Sequence, residues 1–455
     1  MEMILEFLRD VLSQPALLIG IMSCVGLIAL KRPFHKIMTG TLKPILGYLM
    51  LAAGAGVIVS NLDPLGKMIE HGFHITGVVP NNEAIVAVAQ KVLGVETMSI
   101  LVVGLLMNLL IARFTKFKYV FLTGHHSLFM ACLMSAVLGT AGLSGIELIL
   151  VGGFLMGAWS AISPAIGQSY TSKVTDGDEI ALGHFGSLGY YLSAWVAKYV
   201  GKAEESTEDI EIPEKWGFLR DSTLSTALTM IVFYLIAAIA SGSEFVSTLS
   251  GSMSPYLFAV MSAMNFAVGV AIVYSGVRMI LGDLIPAFQG IATKIIPNAI
   301  PAVDCAVFFT YAPTAVVLGF ISSFIGGIIG MLILGAVGGV LIIPGLVPHF
   351  FCGATAGIYG NATGGRRGAA VGAFLNGLAI TFLPALALPV LGQLGFQNTT
   401  FGDADFAVMG LVLGNAFEWI GMAGIYGVVV IAALVLIIPN FIKTKGKVIN
   451  YVEEE

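Results

Sequence analysis

Eleven stretches of about 17–25 residues in this chain are apolar enough to cross a bilayer, and that pattern leaves few folds open. They fall near 15–30, 44–60, 97–113, 119–140, 146–167, 224–245, 255–277, 316–340, 342–361, 368–392 and 420–440. In hydrocarbon every backbone N–H and C=O must find a partner within the protein, which long apolar runs do as helices. Charged residues are 11% of the chain and hydrophobic ones 57%, against about a quarter charged in soluble domains. The expected fold is an all-α polytopic membrane protein with about eleven transmembrane helices. Its 56 glycines suit close helix packing. A net charge of −5 offers no basis for binding nucleic acid. Met1–Ser13 (MEMILEFLRDVLS) is charged and amphipathic and does not read as a cleavable signal peptide.

Four shorter apolar pieces, near 83–94, 179–196, 300–313 and 405–417, are too short or too broken to cross. They are expected as re-entrant, half-membrane segments, tolerated where they are buried in protein or line a cavity. Lysine and arginine set the orientation. Lys31, Arg32, Lys36 and Lys43 share one loop, Arg113, Lys116 and Lys118 another, and Arg366 and Arg367 a third. Lys443, Lys445 and Lys447 follow the last run, and the alternate loops are almost free of basic residues. The expected topology has the N-terminus outside and the C-terminus in the cytoplasm.

The two halves of the chain align at an offset of about 222–227 residues. Pro64 falls on Pro286, Val92-Leu93-Gly94 on Val317-Leu318-Gly319, Leu122 to His125 on Leu346 to His349, and Asp176-Gly177-Asp178 on Asp403-Ala404-Asp405. An odd number of spans per unit makes the second copy inverted, an arrangement common in secondary transporters. The expected division is 1–200 as first repeat, 201–222 as charged cytoplasmic linker, 223–404 as second repeat, and 405–455 as a half-membrane segment, last span and tail. Residues 201–222 carry seven acidic and three basic residues. They read either as a solvated linker or as a docking surface.

Chemistry in such a chain is expected at its expensive residues. Asp304 lies in IPAVDCAVFFTYAP (300–313), flanked by Pro297, Pro301 and Pro313. A carboxylate at membrane depth normally faces a cavity or a partner. The repeat places Glu83, beside Asn82, near its pseudo-equivalent. Both carboxylates suit the hydroxyls of a polyol or sugar, and both also read as caps of half-helix N-termini. His125 and His126 follow Thr123-Gly124, and His184 follows Gly183; each reads as a ligand contact or as an interhelical hydrogen bond. His349, Asn81 and Asn361 are weaker polar candidates, and His35 reads as solvated. Gly364–Gly368 (GGRRG) reads as a positive-inside loop. Cys24, Cys132, Cys305 and Cys352 lack metal-ligand spacing and read as small packing residues. No zinc spacing, Walker loop, GxSxG or CxxC occurs, so no metal, cofactor or catalytic residue is expected.

LTGH (122–125), VTDG (174–177), LGH (182–184), KAEESTED (202–209), AVDCAVFFTYAPTAVVLGF (302–320) and LIIPG (341–345) together carry a resemblance over essentially the whole chain. The sequence resembles the membrane component, enzyme IIC, of the ascorbate-type phosphotransferase system. The resemblance implies a homodimeric elevator transporter of the bacterial inner membrane, with inverted repeats, a substrate-holding core and a static dimerising domain. It implies L-ascorbate or a related sugar as substrate, and phosphorylation by a separate cytoplasmic IIB protein fed by IIA. The family's substrate positions then fall on His125, His184, Asp304, Asn82 and Glu83, with His126 adjoining. Phe129 and Phe185 stand where the ascorbate transporters carry Gln, so the same cavity is expected to include two aromatic faces. Two other readings stay open: an enzyme IIC for a different pentose, polyol or sugar acid, and a proton-coupled secondary transporter with Asp304 as the coupling site.

Overall fold

The structure, a computed structural model, describes Val11 and residues 14–74, 77–78, 80, 82–177, 179–210, 222–392 and 400–441. Helices dominate it: α1 (Pro15–Ala29), α2 (Phe34–Phe73), α3 (Asn82–Phe114), α4 (Gly124–Thr140), α5 (Gly145–Thr175), α6 (Ser187–Val200) and α7 (Ser222–Ser241). There follow α8 (Ser243–Ser250), α9 (Pro255–Lys294), α10 (Pro313–Ala336), α11 (Leu346–Gly392), α12 (Ala404–Ile420) and α13 (Met422–Phe441). The chain is thus an all-α polytopic membrane protein in class. Among the described residues seven helices are long and apolar enough to cross a membrane, or eight when the bent pair 226–241 and 243–250, angled at 118°, is taken as one span.

Three of the eleven apolar runs take forms other than one straight span. Run 15–30 is the fifteen-residue α1. Run 119–140 opens with a strand, β1 (Tyr119–Phe121), before the seventeen-residue α4. The strand is the middle member of nothing: it is one flank of a small parallel sheet ordered β1–β3–β2, with β3 (Ile300–Val303) central and β2 (Ala181–Leu182) on the other side. Tyr119 pairs with Ile300, Phe121 with Ala302, and Leu182 with Val303. This sheet gives the broken segments the backbone partners that lipid cannot supply. Run 224–245 is the bent pair.

The runs 342–361 and 368–392 join in α11, which is broken at Gly364 and Gly365; Gly365 has φ of 60°. The break reverses the chain. A Cβ on Gly353 would lie 2.4 Å from Ser323 Cβ, and one on Gly377 would lie 2.0 Å from the Ser323 carbonyl oxygen. Those two glycines sit twelve residues either side of Gly365, so the arms of α11 run back along each other and both press on α10. GGRRG is therefore a tight helical turn rather than a loop.

Residues 201–210 are not a solvated linker. Thr207 is buried, its N–H donates to Asn361 Oδ1 at 2.8 Å, and the Arg366 N–H donates to the Glu205 carbonyl at 2.8 Å. Glu208 accepts from the N–H groups of Thr314 and Ala315 at 3.0 and 3.1 Å. Pro313 opens α10 without an N–H, so these are the first free donors of that helix, and a carboxylate satisfies them. The remainder of the expected linker, 211–221, lies outside the described residues.

Helices α1, α2, α7, α8 and α9 pack mainly on one another, and the others form a second bundle around the sheet; few contacts join the two. Within the first bundle α2 and α9 cross at glycine. A Cβ on Gly47 would meet the Gly276 carbonyl oxygen at 2.8 Å, and one on Gly54 would meet that of Gly269 at 2.7 Å. Positions 47 and 269 are 222 residues apart, as are 54 and 276, so the two contacts exchange under the sequence offset. Isolated bridges show the same reciprocity. Val78 pairs with Ile342 and Pro80 with Thr400, while β3 pairs with β1 and β2.

Candidate functional site

The sheet explains why the candidate residues meet. Its three strands are parallel, so their C-terminal ends lie side by side, and each runs directly into one site residue: Asp304 after Val303, His184 two residues after Leu182, His125 four residues after Phe121. Ligands in parallel sheets gather at that end. There a cavity of about 760 Å³ is lined by His125, His126, Phe129, His184 and Asp304 from the second bundle. Tyr48, Leu51 and Ala55 of α2 face them across it, and Asp63, Lys67 and Glu70 lie farther along the same helix.

Asp304 divides its carboxylate between two tasks. Oδ1 accepts from the Ala306 N–H at 3.0 Å, capping the 3-10 turn Cys305–Thr310. Oδ2 lies 3.5 Å from His125 Nε2. His125 Nδ1 in turn meets the Tyr48 hydroxyl at 3.3 Å, which ties the ring to the first bundle. The capping and ligand readings of Asp304 thus describe different oxygens of one group.

Backbone donors fix the other two imidazoles. The Phe185 N–H donates to His126 Nδ1 at 3.3 Å, and the Gly186 N–H donates to His184 Nδ1 at 3.1 Å, with the Tyr190 hydroxyl 2.9 Å from the same atom. A nitrogen accepting from an amide carries no proton, so in each neutral ring the proton sits on Nε2. The rings lie 3.8 Å apart between centroids. They form a paired donor surface.

Asp403 completes the wall and was not among the expected residues. Its Oδ2 accepts from Asn82 Nδ2 at 2.6 Å, its Oδ1 accepts from the Cys352 thiol at 3.0 Å, and His184 Nδ1 lies 3.8 Å from Oδ1. Asn82 Oδ1 meanwhile accepts from the Gly402 N–H at 2.9 Å. Asn82 is thus a brace for Asp403. Cys305 and Cys352 line the cavity too, whereas Cys132 is buried in the hydrophobic core; all four cysteines are free thiols. Packing therefore describes Cys132 but not the cavity pair. The missed signal was Asp403-Ala404-Asp405, already visible as a repeat block.

Phe185 does not line the cavity. Its ring is fully buried and stacks on Phe121 at 4.6 Å, because the main chain turns at Gly186 and sends the side chain behind His126. Phe129 does line it, edge-on to His125 at 5.8 Å. The Glu83 side chain lies outside the described residues, as does Asn81. His349 is elsewhere, buried with Nδ1 2.9 Å from Ser323 Oγ, and Asn361 holds Ser206 and Thr207.

Two buried triads, His126–His184–Asp403 and His184–Asp304–Cys305, have ligand-type atoms within 4.8 Å of one another. Metal-bound histidines characteristically donate their second nitrogen to a carboxylate or carbonyl. Here Nδ1 of His126 and His184 accepts from the backbone instead, leaving Nε2 protonated. The wiring suits hydrogen-bond donation rather than metal ligation.

Fold and site together define a polytopic membrane protein whose interior holds a polar, sugar-sized chamber of neutral donors and carboxylate acceptors. Residues 10–405 match the family described as the PTS system sugar-specific permease component, and the chain belongs to that family. One relative, the ascorbate-specific PTS system EIIC component of Mycoplasma pneumoniae (strain ATCC 29342 / M129 / Subtype 1), is 27% identical over 417 residues. That match takes in 78% of this chain and 62% of the relative's length.

Proposed function

We propose that this chain is the enzyme IIC permease of an ascorbate-type phosphotransferase system. It moves L-ascorbate or a related sugar inward, to be phosphorylated by a separate IIB protein that IIA supplies. The observation that carries this reading is the pairing of Nε2–H donors on His126 and His184 with carboxylates at Asp304 and Asp403 around one cavity. A polyhydroxylated ring offers both acceptors and donors, and buried polar partners reject ligands that leave them unpaired. Glu83 is included by its place in the repeat. The reciprocal contacts at 222 residues support an inverted repeat, and the sparse join between bundles supports an elevator motion. Homodimerisation, a bacterial cytoplasmic membrane, an external N-terminus and a cytoplasmic C-terminus complete the proposal.

Phe129 favours a second reading on the same scaffold, a different pentose, polyol or sugar acid, because an aromatic edge there offers C–H contact and no hydrogen bond. The His125–Asp304 pair is the feature a proton-coupled carrier would use. A thermal-shift screen of the purified protein against ascorbate, pentoses, polyols and sugar acids tests the substrate, since a ligand of the folded state raises apparent stability. Ascorbate or a close relative should give the largest shift. A shift with none of these sugars would sink the assignment of the cavity.

A further inference from the structure

Asp405 is fully buried, points away from the cavity, and has no part in the reading above. Its carboxylate is nevertheless wired to the segment that carries His184. Oδ1 accepts from the Leu188 N–H at 2.9 Å, and Oδ2 accepts from the Ser187 hydroxyl at 2.7 Å and from Trp159 Nε1 at 3.1 Å. Its own N–H donates to the Phe185 carbonyl at 2.9 Å. Residues 185, 187 and 188 are therefore all held by one residue more than two hundred positions away. Between them lies Gly186, whose N–H fixes the Nδ1 of His184.

Capping α6 needs one acceptor, and a serine or asparagine would supply it. A carboxylate in an apolar interior is costly unless each oxygen is used, and here three donors share two oxygens. The arrangement therefore fixes the path of 185–188 more tightly than capping requires. We infer that Asp405 is a positioning residue: it holds the turn 185–188 so that the Gly186 N–H meets His184 Nδ1 and the His184 Nε2–H faces the cavity. Asp403 and Asp405 then serve one site from opposite faces of the α12 start, the first as cavity wall and the second as brace. The affinity arm of the test rests on the cavity being the sugar site; the spectroscopic arm does not.

The chain has seven histidines, few enough for solid-state NMR of the full-length protein labelled with 15N-histidine in bilayers. The His184→Gln difference spectrum assigns the His184 signals. The wild type should show His184 with bare Nδ1 and protonated Nε2. In Asp405→Asn the amide turns N–H groups toward Ser187 or Trp159, and the His184 signals should split between tautomers while ascorbate affinity falls tenfold or more. Trp159→Phe removes one donor from the carboxylate but leaves its bonds to 187 and 188, and should keep both the spectrum and the affinity. Should Asp405→Asn not fold, Asp405→Ser, which keeps one capping oxygen, carries the same expectation. An unchanged His184 spectrum in the Asp405 variant overturns the inference, whether or not sugar binds. Absence of sugar binding in the wild type would instead count against the proposed function, with the spectral comparison still deciding the role of Asp405.

Discussion

Asp304 separates two contributions that are usually confounded, because its two oxygens have different partners. Asp304→Asn can keep the Oδ1 cap on Ala306 while removing the charge opposite His125. A hydrogen bond to a charged group contributes about 1.5–3 kcal/mol, so sugar affinity should fall by roughly 10- to 100-fold with little change in thermal midpoint. Asp304→Ala also loses the cap and should melt earlier as well, by about 1 kcal/mol of stability. Titration calorimetry beside thermal melts distinguishes the two, and equal melting of both variants would show that the cap contributes nothing. The two phenylalanines divide in the same way. Phe129→Gln should change which sugar gives the largest thermal shift. Phe185→Leu, in the packed layer with Phe121, should cost about 1–2 kcal/mol of stability and leave the sugar ranking unchanged. Asp304, His125 and His184 were legible in the sequence because a polar group in an apolar run advertises its cost. Asp403 was not, since its partners Asn82 and Cys352 lie 321 and 51 residues away and only the fold brings them together.

At the scale of elements, the strap 201–210 does what its charge pattern did not announce. Glu208 accepts from two N–H groups at the start of α10, where Pro313 leaves them free. Glu208→Ala should therefore lower stability by about 1 kcal/mol and speed proteolysis within 201–222, while sugar affinity stays at the wild-type value. Loss of affinity equal to that of the cavity variants would mean that the strap reaches the site. The long helices were readable from apolar length alone. The strands were not, because two to four residues are too few to show a period of two. The turn at Gly364–Gly365 was read as a loop from its arginines. Its glycines carry the better signal: a Cβ on Gly365 would sit 2.2 Å from the Lys202 carbonyl oxygen, so the turn and the strap require each other.

For the whole molecule, the offset of 222 residues read from the sequence recurs in space as exchanged contacts, both where α2 crosses α9 and where the short strands pair. Each bundle draws on both halves of the chain, so neither half folds as a compact unit by itself; the division by sequence does not coincide with the division by packing. The cavity lies along the seam, with its polar groups on one bundle and Tyr48, Leu51 and Ala55 on the other. That placement lets the second bundle carry a bound sugar past α2 without taking the site apart, at the cost of the single contact between Tyr48 and His125. A tether across the seam tests whether it does so. A Cβ on Gly66 of α2 would stand 3.8 Å from Leu346 Cδ1 at the start of α11, so cysteines at these two positions fall within reach of a short bifunctional thiol reagent. In the Gly66→Cys, Leu346→Cys protein the cross-link should leave sugar binding within about threefold of the untreated sample. Uptake into vesicles supplied with phosphoenolpyruvate and the phosphoryl-transfer proteins should fall to background, returning when a cleavable linker is reduced. Uptake that persists with the linker closed would rule out sliding along this seam, and uptake that collapses with the proton gradient instead of phosphoenolpyruvate would favour the proton-coupled reading of His125 and Asp304.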